Sequence, residues 1–140
     1  MSNNGNNFER MDTIGGVPAR MVRDLIALGK DDGGTYDPVT GDLAYMSSGY
    51  MVADPAAPSS VGEPSDTDPE YLEGLYNVVV AARERGEYVG VWRNPETGQV
   101  EVEVSTLIHH REEAMAIGYM RRQLAIWDWA GGDVITLTRD

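Results

Sequence analysis

Apolar residues recur at helical spacing in three segments of the chain. The first runs from Pro18 to Leu28, the second begins at Asp68-Pro69-Glu70, and the third covers about Arg111–Arg122. Proline near the start and glycine just past the end are typical of the first two, with Gly29 and Gly86 as the expected stops. In the third, acids open and arginines close the segment, which suits the helix dipole. The pattern therefore predicts three helices.

Alternating and short apolar runs between these segments predict strands. The clearest alternation covers 100–104, where three valines are expected to face the core while Glu101 and Glu103 face outward. Further strands are predicted at 50–53, 88–93, 123–129 and 134–138, and tight turns at 37–41 and 94–98 indicate hairpins. Helices mixed with antiparallel hairpins are typical of an α+β domain, and we expect two layers with the three helices packed on the sheet.

The rest of the chain predicts one such domain over 13–140 with two irregular segments. The polar, Asn-rich residues 1–12 are expected to form a disordered tail. Residues 54–69 contain four of the seven prolines together with several acids, and no regular element is predicted there. We expect an exposed acidic loop, longer than most loops in compact domains.

The charge is strongly negative and unevenly distributed. The chain has 23 acidic against 11 basic residues, for a net charge of -12, and only one of the bases is lysine. Between Asp24 and Glu70 ten acids accompany a single base, Lys30. This balance disfavours direct binding of nucleic acid, which depends on neutralising phosphates. It favours a partner protein with a basic surface.

Composition excludes several other classes. The chain has no cysteine, which excludes disulfide scaffolds and thiol enzymes. No apolar run approaches the roughly 20 residues that a membrane-spanning helix needs. We therefore expect a cytoplasmic protein that needs no cofactor.

Two parts of the sequence resemble a known group of proteins. The segments GVWRNPETG at 90–98, VEVEVS at 100–105, REEA at 111–114 and QLAIWD at 123–128 resemble a domain of uncharacterised accessory proteins from actinobacterial phages and mobile elements. Residues 33–35, 40–41 and 49–52 resemble the motif that precedes this domain. The resemblance covers about half the chain. It implies a phage-like origin and a location in the cytoplasm of a host cell, but no assigned activity and no catalytic residues.

Two polar clusters could bind metal, and both have simpler explanations. In the cluster His109-His110-Arg111-Glu112-Glu113, His109 and Glu113 could share a helical face, but the spacing matches no metalloprotease signature. Asp66, Asp68 and Glu70 could gather calcium, but the EF-hand pattern is absent, so helix capping is the better interpretation. We therefore assign no catalytic residue and no metal ligand.

Two tryptophans near the end of the chain, Trp127 and Trp129, point to one face of a predicted strand. They belong to the core if both faces of the sheet are covered, or anchor an interface if one face is open. Together with the acids of the first half they form the expected partner-binding set: Asp31, Asp32, Asp37, Asp42, Asp66, Asp68, Glu70, Trp127 and Trp129.

Three functions remain open at this point. The first is an acidic protein-interaction factor from a phage or mobile element, including an inhibitor that imitates nucleic acid and acts on a host nucleic-acid-binding protein. The second is a minor virion or assembly protein. The third is a small enzyme that uses His109 and His110 with carboxylates. The first is our expectation, and the oligomeric state stays open.

Overall fold

The computed structural model describes residues 13–14 and 17–137, which form three helices and ten strands. The helices are α1 (Ala19–Lys30), α2 (Pro69–Arg85) and α3 (Arg111–Met120). The strands are β1 (Thr13–Ile14), β2 (Val17–Pro18), β3 (Gly34–Asp37), β4 (Asp42–Leu43), β5 (Tyr50–Ala53), β6 (Ser59–Gly62), β7 (Tyr88–Arg93), β8 (Val100–Ile108), β9 (Ala125–Asp128) and β10 (Asp133–Thr136). This content confirms the α+β class. The expected tail at 1–12 lies outside the described residues.

One antiparallel sheet of eight strands organises the fold around β8. The strands follow the order β10-β9-β5-β8-β7-β3-β4, and β6 also pairs with β8, while β1 and β2 form a separate pair. β7 pairs with residues 100–105 of β8 on one side. On its other side β5 pairs with residues 105–108 and β6 with residues 100–103. Two short strands therefore share one edge of the longest strand.

All three helices pack against the same face of this sheet. Val100, Val102 and Val104 are fully buried beneath α1 and α2, as the alternation predicts. Ile108 lies an even number of positions from these valines along β8. It belongs to a second buried cluster, with Val52, beneath α3. Because side chains alternate along a strand, these four β8 residues share one face. The opposite face carries no helix among the described residues.

Local sequence signals set the ends of α2. The carboxylate of Asp68 accepts the N–H of Glu70 at 3.0 Å, and Pro69 occupies the first helical position. Gly86 closes the helix with φ 67°, a left-handed conformation that glycine adopts without steric cost. The predicted start and stop of this helix are both confirmed.

The predicted stop of the first helix at Gly29 is wrong. α1 continues to Lys30, and Gly29 is a buried helical residue. A Cβ at Gly29 would lie 2.8 Å from Cγ of Pro64. Glycine therefore stands here because the segment around Pro64 packs directly against the helix backbone.

The predicted irregular loop at 54–69 is wrong for residues 59–62, which form β6 and pair with β8. Before it, the carboxylate of Asp54 accepts the N–H of Ala56 in a tight turn. The sequence SSVG has no apolar alternation, so its strand is held by backbone hydrogen bonds to an edge that β5 leaves open. The later elements are shorter than predicted: α3 ends at 120, β9 covers 125–128 and β10 covers 133–136.

Candidate functional site

The face of the sheet opposite the helices borders an open cavity of about 750 Å³, here called the helix-free cavity, to whose rim α1 contributes Leu28. Its lining includes Val134 of β10 and Leu43 of β4, which stand at opposite ends of the strand order. Strands from both ends can line one cavity only because the sheet curls, as twisted antiparallel sheets tend to do. The curl converts an open sheet face into a concave site.

Small residues form the middle of this concave face. Gly90 of β7 pairs with Thr35 on one side and with Glu103 on the other, so the three share the helix-free face. A Cβ at Gly90 would lie 3.5 Å from Cβ of Ser105, an ordinary contact. An alanine therefore fits at this position, whereas a larger side chain would extend into the cavity.

Three tryptophans stand around these small residues. Trp92, Trp127 and Trp129 all line the cavity, and each is partly buried. The rings of Trp127 and Trp129 meet edge to face, with centroids 5.9 Å apart. Nε1 of Trp129 is buried and has no hydrogen-bond partner among the described residues. The sequence analysis left open whether this tryptophan pair lies on a covered or an open face of the sheet. Among the described residues, no helix covers the face that carries the pair.

Glu103 is the carboxylate on the sheet within this cavity. As predicted, Glu103 lies on the face of the sheet opposite the helices. The expectation that this face leaves it in solvent is wrong, because the face is concave and Glu103 is partly buried there. Nε1 of Trp92 donates a hydrogen bond to Oε1 of Glu103 at 3.2 Å. Burial raises the pKa of Glu103 to about 7, the negative charge of Glu101 adds to the rise, and the bond from Trp92 opposes it. Glu103 therefore titrates near neutral pH.

Other charges near the cavity are mostly acidic. Asp31 and Asp32, in the connection between α1 and β3, line it and are exposed. The cation in the lining, Arg93, donates to Oε2 of Glu63 at 2.9 Å and to the carbonyl oxygen of Gly98 at 2.6 Å. Because Arg93 already has these acceptors, the remaining charge offered to a ligand is negative.

The structure divides the residues expected to bind a partner into three places. Asp31, Asp32, Trp127 and Trp129 line the helix-free cavity. Asp37 and Asp42 lie in the β3–β4 hairpin, where Asp37 accepts the N–H groups of Val39 and Thr40. Asp66, Asp68 and Glu70 lie at the start of α2, where the Asp68 side chain is the cap.

The sequence analysis did not assign Trp92 or Gly90 to a site, and it did not place Glu103 in a cavity. The alternation along 88–93 and 100–104 puts all three residues on the face away from the core, and this was the one signal that could have grouped them. The signal does not show that the face is concave, because the curl depends on strands distant in sequence.

The histidine pair shows no metal-site geometry. His109 and His110 are exposed between β8 and α3. Within residues 17–137, no three potential ligands of the histidine or carboxylate type come close enough to hold a metal ion. In the same part of the chain, every helix is too short or too polar to cross a membrane.

Comparison of the chain with protein-family models, with curated proteins and with solved structures found no match.

Proposed function

We propose that this protein is an acidic protein-interaction factor that binds a positively charged partner protein through the helix-free cavity and its acidic border. One observation carries the proposal: a concave sheet face without helices combines three tryptophans with the carboxylates of Asp31, Asp32 and Glu103. Tryptophans in pockets are enriched among the residues that dominate interface energies. The proposed arrangement of the chain is two-layered, with the three helices packed on one face of the antiparallel sheet, and the other face is left to the partner.

Charge complementarity supports the sign of the partner. The net charge is -12, and the region 24–70 has ten acids and one base. Opposite surface potentials accelerate association and select partners, particularly at low ionic strength. The more specific form of the proposal is a phage or mobile-element inhibitor that imitates nucleic acid in the host cytoplasm. Its support is this charge together with the phage-like resemblance of the strand and turn segments.

The test begins with affinity capture from a GC-rich bacterial host, followed by titration of the captured protein at low and high salt. We expect affinity to fall with salt, and to fall about tenfold when Asp31 and Asp32 are both changed to Asn. The matched control changes Glu73 and Glu84 together to Gln, because both are exposed on α2 outside the cavity, and it should change affinity less than about twofold.

Trp127→Ala examines the aromatic part of the same surface. We expect weaker binding together with a cooperative thermal melt, since the ring lines a cavity and is only partly buried. The proposal is overturned if the affinity of the captured partner changes neither with salt, nor with the Asp31/Asp32 double substitution, nor with Trp127→Ala.

A further inference from the structure

We propose that the helix-free cavity is a receptor for one cationic side chain, an arginine or lysine of the partner protein, whose charged head pairs with Glu103 while its stem packs against Trp92 and Trp127. This inference rests on the proposed function and names the chemistry of the group that enters the cavity. Its basis is the combination of a carboxylate, aromatic walls and a hollow left by small residues.

The carboxylate of Glu103 retains capacity for a ligand. In the described part of the chain Trp92 is the one group that donates a hydrogen bond to it, through Oε1. The second oxygen is therefore available to accept from a guanidinium or ammonium group. Charge-assisted bonds of this kind are stronger than neutral ones, which favours a cation over a neutral donor.

The walls suit a cation carried on an apolar stem. Indole faces attract cations electrostatically, and arginine or lysine stems cover apolar surface while the head stays near polar groups. Gly90 leaves the space that such a stem would occupy, since no side chain projects from the middle of β7 onto this face. A cavity of about 750 Å³ exceeds one side chain, so residues next to the cation would enter with it.

The surroundings of Glu103 disfavour anions and predict a pH dependence. β6 opposes Glu103 with the neutral Ser59, and β7 opposes it with Gly90. Glu101 on the same strand is the charged group that acts on Glu103, and the other charged groups that line the cavity are Asp31 and Asp32 from the α1–β3 connection and Arg93 on β7, which is paired with Glu63. Because only the ionised carboxylate attracts a cation, affinity should rise between pH 6 and pH 8 and level off above.

The experiment uses the full chain and two small probes, N-acetyl-arginine amide and the neutral isostere N-acetyl-citrulline amide. Binding is followed by NMR through the indole N–H signals at pH 8. We expect saturable shifts with the arginine probe, with affinity in the millimolar range, and binding at least about tenfold weaker for the citrulline probe. Equal responses to the two probes would overturn the inference.

Variants test whether the NMR shifts come from probe binding in the helix-free cavity. Glu103→Gln should abolish the preference for arginine, whereas Glu73→Gln, an exposed position on α2, should leave it unchanged. Gly90→Val should block both probes by filling the hollow, and Gly90→Ala serves as the smaller change. Retained arginine binding in a folded Gly90→Val protein would contradict the assignment, and it does so independently of Glu103.

The outcomes separate this inference from the proposed function. If a captured partner binds in a salt-sensitive way but its affinity is unchanged by Glu103→Gln, the proposed function stands and the cavity assignment is overturned. Arginine-probe binding with no protein partner would overturn the proposed function. Micromolar affinity for the free probe would replace the partner's side chain with a small cationic molecule as the occupant, since a lone side chain does not reach that affinity.

Discussion

Nε1 of Trp92 donates a hydrogen bond to Oε1 of Glu103 across 3.2 Å, joining β7 to β8 inside the helix-free cavity. The contact is diagonal, because Trp92 pairs with Glu101 and Glu103 pairs with Gly90 in the strand register. A long indole side chain spans such a diagonal readily, and Gly90 leaves the space open beside it. The bond therefore holds a carboxylate in a partly buried place where burial alone would favour the neutral acid.

Glu103 should make the protein less stable as pH rises through the acidic range. Its pKa is 4.5 before perturbation and about 7 in the folded chain, so the folded state binds the proton more tightly between these values. The free energy of unfolding therefore decreases from pH 4.5 to pH 7 and, as far as this group is concerned, is constant outside that window. Glu103→Gln should stabilise the protein at pH 8 by up to about 3 kcal/mol and have little effect at pH 4.

Chemical denaturation of wild type and Glu103→Gln at pH 4, 6 and 8 measures this difference. Glu73→Gln is the control for removing one negative charge, because Glu73 is exposed on α2. If the two variants show the same dependence on pH, Glu103 does not have a raised pKa in the folded protein.

Removing the donor should raise the pKa of Glu103 further. Trp92→Phe keeps an aromatic ring and deletes the N–H that stabilises the ionised carboxylate. An NMR titration of the Glu103 carboxyl carbon would report the change. Trp129→Phe is the matched control, since Nε1 of Trp129 has no acceptor among the described residues, and it should leave the titration unchanged. A lower pKa in Trp92→Phe would contradict the role given to the bond.

Short-range signals predicted much of the fold. Asp68, Pro69 and Gly86 act within their own helix ends, so the sequence pattern located α2 correctly. The valines of β8 alternate because one face is buried, and this pattern is visible without knowledge of their partners. In both places the local preference and the tertiary environment agree.

Features that depend on distant segments could not be predicted. β6 carries no alternation and exists because part of β8 has an open edge beside β5. Glu103 lies in a cavity because β10 and β4 curl toward each other, and no local pattern encodes that curl. The sequence therefore indicated the face on which the candidate site lies and gave no sign of its shape.

The hydroxyl of Tyr36 should contribute substantially to stability. It lies 2.8 Å from Oδ2 of Asp24 and 2.8 Å from the carbonyl oxygen of Gly41, and the tyrosine is 1% exposed. Burial and the bond to Asp24 raise the pKa of the phenol, so it remains protonated and donating at neutral pH. Arg20 also donates to both acceptors, so Tyr36→Phe removes one of two donors and should cost about 1 kcal/mol in the free energy of unfolding.

The control for Tyr36 is Tyr45, which is 78% exposed. Tyr45→Phe should change the free energy of unfolding by less than about 0.5 kcal/mol in the same urea denaturation series. Equal effects of the two substitutions would show that the hydroxyl of Tyr36 contributes nothing specific.

Gly29→Ala should destabilise the protein, although alanine is ordinarily the better helix former. In an exposed helix the change would stabilise by roughly 0.5–1 kcal/mol. Here the new Cβ would lie 2.8 Å from Cγ of Pro64 and 3.1 Å from Cγ1 of Val100, so one of the packed segments must move. We expect a net cost of about 1–3 kcal/mol, measured by denaturation. Combining it with Pro64→Ala should lower that cost, because the closest contact is then removed. If Gly29→Ala stabilises the wild-type chain, α1 and the Pro64 segment do not pack as closely as described.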